Sequence, residues 1–266
     1  MTLRAERVGL VRGGRAILTG IDLDLVPGRL TVLLGPNGAG KSSLFRLLAG
    51  DMAPDSGRVT LDGRDLADWR ADRLAQRRAV LPQDTSVGFA FTGRDVAAWG
   101  ARGLPAHEAA LLAADALAAV EAQAFADRPV PRLSGGERRR IHLARALVQT
   151  RVAARGNHPP VLLLDEPTAG LDPRHCHIVL KLALAAARDG AAVAAVLHDL
   201  DLAARYADEV VLLSAGHLLA RGPVESVLRP ALVGPLYGVQ AVTAPCPAGG
   251  RSAARIIDAA FPQAAE

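Results

Sequence analysis

The chain has 266 residues, 50% hydrophobic and 22% charged, with a formal net charge of +4. That length and balance support a full core, as one domain or a domain with a subdomain, and exclude a disordered or fibrous chain. Its basic residues are 29 arginines and 2 lysines with only 3% aromatics, so the charge reads as a solvated arginine-rich surface rather than a stacking platform for single-stranded nucleic acid.

In chain order, residues 17–26 alternate apolar side chains with Asp22 and Asp24, predicting a strand with one wet face. Residues 30–34 are a continuous apolar run, predicting a buried strand. The run enters Gly35, Pro36, Asn37, Gly38, Ala39, Gly40, Lys41 and Ser42, which match G-x-x-x-x-G-K-[ST], a phosphate-binding loop. The glycines let successive N–H groups point inward at phosphate oxygens. Lys41 is expected to reach the terminal phosphates, and Ser42 to offer a hydroxyl to Mg²⁺. A helix over 43–49, opening at Ser43, then presents its N-terminus to the anion.

Residues 58–61 followed by Asp62 and Gly63 predict a strand and tight turn. A short strand over 79–82 leads to Gln83. Residues 88–158 read as mostly helical, with helices over 92–100, 107–124 and 138–149. Strands return at 161–165, 191–197 and 209–213, with helices over 174–188 and 199–207 between them. This alternation argues for a parallel α/β sheet. Short helices and a last strand over 239–242 follow, and 244–266, rich in Ala, Pro and Gly, read as a loosely packed tail.

Two motifs carry chemistry of their own. The strand over 161–165 ends in adjacent carboxylates, Asp165 and Glu166. Such a pair repels itself unless a cation or proton donor lies between. Ser134 and Glu137 form S-x-x-E, an ordinary capping box that also presents a helix N-terminus, with Gly135 and Gly136 permitting close backbone approach.

Together the loop at 35–42, Gln83, the Leu133–Glu137 stretch, Asp165–Glu166 and His198 resemble the ATP-binding subunits of ABC transporters, in order and in spacing, from about Val8 to Val242. The resemblance implies an α/β P-loop NTPase of ABC type over 1–243. It has a parallel core sheet, a small antiparallel sheet and an inserted helical subdomain over about 88–158. It implies ATP and Mg²⁺ as cofactors, with Ser42, Gln83 and Asp165 on the metal. It implies that Glu166 polarises the attacking water and that His198 contacts the γ-phosphate and orients both. Ser134, Gly135, Gly136, Glu137 and Asp172 are implied to meet ATP bound by a second copy, in a nucleotide-sandwich dimer. The implied partners are transmembrane permease subunits and, indirectly, a periplasmic solute-binding protein. The implied location is peripheral, at the cytoplasmic face of a bacterial inner membrane. No nucleic-acid partner is expected.

Some residues depart from the family pattern. Arg12 stands where an aromatic residue usually stacks on adenine; a planar guanidinium can stack. Arg138 replaces a common glutamine, and Ala169 a common serine. The DNA-repair and chromosome members of the superfamily insert coiled coils or zinc modules between the Lys41 and Ser134 motifs, and translation-associated members carry two ATPase halves; neither feature is seen. The chain resembles the group importing iron-siderophores, vitamin B12 and haem. The supporting stretches are 78–83, 89–92, 197–206 and 236–239, and an extra loop over 150–158 points within that group to the haem (hemin) importers' subunit. Ferric-siderophore or cobalamin import is the first alternative, and a non-transport ABC ATPase acting on nucleic acid the second.

Two cysteines, Cys176 and Cys246, make no disulfide framework and fit a reducing compartment. No window of 18 or more residues is apolar and uncharged, so no membrane span is expected. His175, Cys176 and His177 sit on a predicted helix, where residues two apart do not share a face, so the two histidines are not expected to clamp one metal. Phe89 and Phe91 are expected to form a docking surface or local core.

Overall fold

The computed structural model describes residues 3–84, 90–245 and 252–259. Phe89 and Cys246 lie outside the described residues. The chain opens with β1 (Leu3–Arg12) and β2 (Arg15–Leu25), then β3 (Arg29–Leu34) and α1 (Lys41–Ala49), which flank the glycine-rich loop. β4 (Ser56–Leu61) and the two-residue β5 (Arg64–Asp65) complete a four-stranded antiparallel sheet in the order β2-β1-β4-β5. After α2 (Ala71–Ala75) and β6 (Arg78–Leu81) comes the helical block: α3 (Gly93–Ala98), α4 (Ala106–Ala119) and α5 (Gly135–Ala153). The core resumes with β7 (Val161–Asp165), α6 (Pro173–Arg188), β8 (Ala192–Val196), α7 (Leu200–Tyr206), β9 (Glu209–Ser214) and β10 (His217–Gly222). α8 (Val224–Val227), α9 (Pro230–Tyr237), β11 (Val239–Pro245) and β12 (Ser252–Ala259) follow.

The core sheet has the order β10-β9-β3-β8-β7-β6 and is parallel except for β10, which returns antiparallel beside β9. Its central strands are buried on both faces, as continuous apolar runs require. The period of two divides each run between two layers. Leu30, Val32, Leu34, Leu162 and Leu164 face the helical block together with α6 and α7. Leu33, Leu163 and Val196 face α1 and the antiparallel sheet, packing with Leu44, Phe45 and Ile21.

α5 lies along β6, the outermost strand. The outward carbonyls of that strand are taken by side chains of the helix: Gln149 Nε2 donates to Arg78 O at 3.1 Å and an Arg145 guanidinium N–H donates to Val80 O, while Gln149 Nε2 also reaches Ala75 O, at the end of α2, at 2.7 Å. Arg78 Nε and Nη1 are buried without a hydrogen-bond partner among the described residues.

Two expectations are corrected. The described part of the stretch 244–266 is not a loose tail: β12 pairs antiparallel with β11, Ala253 and Ala254 are buried, and Ala254 N donates to Leu228 O at 2.6 Å. Small residues let this hairpin lie flat on the body of the protein. The loop over 150–158 is also shorter than expected, because α5 continues to Ala153. In that added turn the buried Thr150 hydroxyl is satisfied within the helix by donating to Ala146 O at 2.8 Å. Among the described residues no helix is long and apolar enough to cross a membrane.

Candidate nucleotide site

The strand order brings four motifs to adjacent strand ends. β3 leads into the phosphate loop, β8 to His198, β7 to Asp165 and Glu166, and β6 to Gln83, so the four sit side by side at the carboxyl edge of a parallel sheet. Neighbouring strands lie about 4.8 Å apart.

In the loop, the backbone needs glycine for two reasons. Gly40 has φ +98, and a side chain there would meet Leu18 Cδ2 at 2.7 Å. At Gly35 a Cβ would sit 2.2 Å from Leu213 O. The loop is thus pressed against β2 at Gly40 and against β9 at Gly35, where no room is left for a side chain. Lys41 opens α1 and is buried; its Nζ donates to Gly35 O at 2.7 Å and Pro36 O at 2.9 Å, which holds the ammonium inside the loop. Burial lowers its pKa, while the charges of Glu166 and Asp165 raise it. The lysine and the two carboxylates therefore share one electrostatic site.

Asp165 is 4% exposed, and its Oδ1 has no hydrogen-bond partner among the described residues. Its pKa is pushed up to about 6, first by burial and then by the adjacent Glu166. A buried carboxylate oxygen with no donor, beside a second carboxylate, suits a hard divalent cation. Glu166 has φ +48, in the left-handed region. That turn sends its carboxylate off the strand axis, where Oε1 accepts from His198 Nε2–H at 2.7 Å. Gln83 is exposed, and its backbone carbonyl accepts from Arg139 Nη2 at 3.0 Å. Arg139 was not foreseen from the sequence. It also donates from Nη1 to Glu166 O at 2.6 Å and Asp165 O at 3.2 Å.

Ser134 caps α5 as a reciprocal box: its Oγ accepts from Glu137 N at 3.2 Å, and Glu137 Oε2 accepts from Ser134 N at 2.9 Å. The Ser134 backbone N–H and then the Ser134 side chain hold the Glu137 carboxyl below the usual range. Gly136 packs on the turn before α6; a Cβ there would sit 3.0 Å from Gly170 O. Asp172 caps α6 with Oδ1 accepting from His175 N at 3.0 Å, and its Oδ2 lies 2.6 Å from His175 Nδ1. On its other side His175 Nε2 lies 2.8 Å from Arg140 Nη1, so His175 joins α5 to the Asp172 turn. His177 turns elsewhere, with Nδ1 2.8 Å from Tyr206 Oη. Arg12 is exposed at the end of β1 and pairs with Asp55 at 3.2 Å.

Residues 18–169 match the family model described as ABC transporter. The chain is 47% identical over 242 residues to the hemin import ATP-binding protein of Rhodococcus jostii, covering 90% of this chain and 80% of that one. The chain belongs to the ABC transporter family. The hemin import ATP-binding protein of Pseudomonas aeruginosa is 46% identical, covering 90% of this chain and 93% of that protein. Among solved structures, the cbiO1 subunit of Clostridium perfringens, part of an ABC transporter complex, has a TM-score of 0.71 at 29% identity, covering 87% of this chain and 92% of that one. A dimeric bacterial ABC transporter cassette has a TM-score of 0.73 at 24% identity, covering 83% of this chain and 98% of that one. The ABC fold and an ATP-binding subunit, with ATP hydrolysis coupled to transport as its activity, are therefore as the motifs implied.

Proposed function

We propose that this ABC ATPase powers hemin uptake through a permease at a bacterial inner membrane. It would lie peripherally on the cytoplasmic face and be fed by a periplasmic hemin-binding protein. The proposal takes the cassette as 1–243 with its helical subdomain at about 88–158. The catalytic reading is carried by one observation, the His198–Glu166 hydrogen bond beside the buried, unpartnered Asp165 Oδ1. Loop residues 35–43 bind the ATP phosphates, with Lys41 as the point charge. Ser42, Gln83 and Asp165 hold Mg²⁺, which when bound neutralises charge on the transferred phosphoryl group. Glu166 draws the proton from the attacking water, and His198 keeps the Glu166 carboxylate turned toward it. Ser134, Gly135, Gly136, Glu137 and Asp172 serve the ATP held by a second copy. Gly136 packing on Gly170 favours this, because it places the two turns on one surface.

Identity of 46–47% with hemin import ATP-binding proteins over 90% of the chain supports the solute. Phe91 and Trp99 meet edge-to-face with ring centroids 5.0 Å apart, 40% and 44% exposed, in a chain with few aromatics. We assign this pair to the permease contact. In vesicles holding the permease and this subunit, a hemin-loaded binding protein should stimulate hydrolysis more than a siderophore or cobalamin carrier. Phe91→Ser with Trp99→Ser should lose that stimulation and keep basal hydrolysis, and Lys41→Ala should abolish uptake. Stimulation by a siderophore carrier alone would reassign the solute to the alternative group.

Base recognition is lax on this reading. Arg12 is tied to Asp55 rather than presenting an aromatic face, so the phosphates carry most of the affinity. GTP should be hydrolysed within about tenfold of ATP, roughly 1.4 kcal/mol, and Arg12→Tyr should tighten ATP binding in a titration. An unchanged affinity would mean that Arg12 does not occupy the stacking position or already stacks as well as tyrosine.

A further inference from the structure

Arg139 has no role in the scheme above. It lies in the second turn of α5, is 9% exposed, and gathers the backbone carbonyls of Glu166, Asp165 and Gln83 with one guanidinium. Those carbonyls belong to the ends of two adjacent strands, and the fork of N–H groups on a planar guanidinium suits several acceptors at once.

Three observations make this more than packing. Glu166 holds a left-handed backbone, which is strained for a non-glycine residue, and its carbonyl is fixed there by Arg139 and by Ala169 N at 3.1 Å. The same turn aims the Glu166 carboxylate at His198. The positive charge also lies close enough to attract both carboxylates, which offsets their mutual repulsion. Finally, α5 begins at the Ser134 cap and holds β6 through Arg145 and Gln149. One helix thus carries the Ser134–Glu137 turn and the arginine clamp and is bonded to the strand leading to Gln83.

We propose that Arg139 is a positioning residue for ATP hydrolysis, fixing the Glu166 turn and the segment after β6 to α5 so that they move together. The proposal rests on Glu166 acting as the base. The experiment compares Arg139→Ala, Arg139→Gln and Arg139→Lys with Glu166→Gln by steady-state hydrolysis and by binding of a fluorescent ATP analogue. A catalytic group displaced by about an ångström can lose about 10²-fold in rate, so Arg139→Ala should lose roughly 10- to 100-fold in kcat. KM and nucleotide affinity should stay within about twofold, the signature of an interaction needed only for the chemical step. Added guanidinium ion should recover part of the Arg139→Ala rate and none of the Glu166→Gln rate. Arg139→Lys, which keeps the charge but not the fork, should lie between.

A kcat for Arg139→Ala within about twofold of the wild type, or a loss shared equally by nucleotide affinity, overturns the proposal. Where the alanine protein does not fold, Arg139→Gln carries the same readout: reduced kcat at unchanged KM supports it, and wild-type kcat overturns it. An active Glu166→Gln instead removes the base assignment. A dead Glu166→Gln beside a fully active Arg139→Ala removes only the positioning role.

Discussion

Glu166→Gln lowers ATP turnover by about 10²–10⁴-fold, the range for loss of a positioned general base, while ATP binding survives. The substitution is nearly isosteric and keeps an oxygen for His198 Nε2–H, so the 2.7 Å contact and the left-handed turn persist. What is lost is a group able to take the water's proton. With hydrolysis stalled, ATP and its second copy stay bound, so light scattering should show an ATP-dependent dimer for Glu166→Gln and mainly monomer without nucleotide. Phosphate release at saturating ATP gives the rate. Turnover within tenfold of the wild type would make the Glu166–His198 pair structural. A strictly monomeric variant under saturating ATP would sink the shared-site reading.

Asp165→Asn raises the stability of the nucleotide-free protein at pH 7.5 while removing hydrolysis. Folding lifts the Asp165 pKa to about 6, by burial and by Glu166, from an ordinary value of about 3.9. The folded state therefore favours the protonated acid. The stability this group contributes is fully present below about pH 4 and is lost as pH rises through about 6. At pH 7.5 the charged group is a liability that asparagine removes. Two pKa units correspond to at most about 3 kcal/mol, and solvent screening and relaxation discount this to about 1–2 kcal/mol. A chain of this size should then gain roughly 2–6 °C in Tm. Thermal melts at pH 7.5 and pH 4.5 decide it, with the gain falling to about a third or less at the lower pH. A lower Tm for Asp165→Asn at pH 7.5 would show that the carboxylate stabilises the fold.

The site was legible where local pattern and chemistry coincide. The apolar run into Gly35 and the run ending at Asp165 are both strands at those positions, and Ser134 and Asp172 cap their helices as their spacing implied. Arg139 was not legible among three consecutive arginines, because nothing in composition says which one turns inward. The phase of the helix does not separate them either, because residues 141–144 are all buried; only the carbonyls of Gln83, Asp165 and Glu166, brought together by the fold, pick out Arg139. The link through His175 was hidden because its partner Arg140 comes from a different element. The second strand of the terminal hairpin has weak alternation and small residues, and it exists through pairing with β11 and the burial of Ala253 and Ala254. Such pairing has no local signal.

The row of side chains that α5 lays along β6 has a consequence for solubility. An outermost strand normally offers its free carbonyls to any extended chain that drifts past, which is the usual route to strand addition and aggregation. Here Gln149 and Arg145 occupy the outward carbonyls of Arg78 and Val80. A stray strand would have to displace them one by one. Polar contacts that read as ties between a helix and a catalytic loop thus also work as a seal, closing one flank of the sheet.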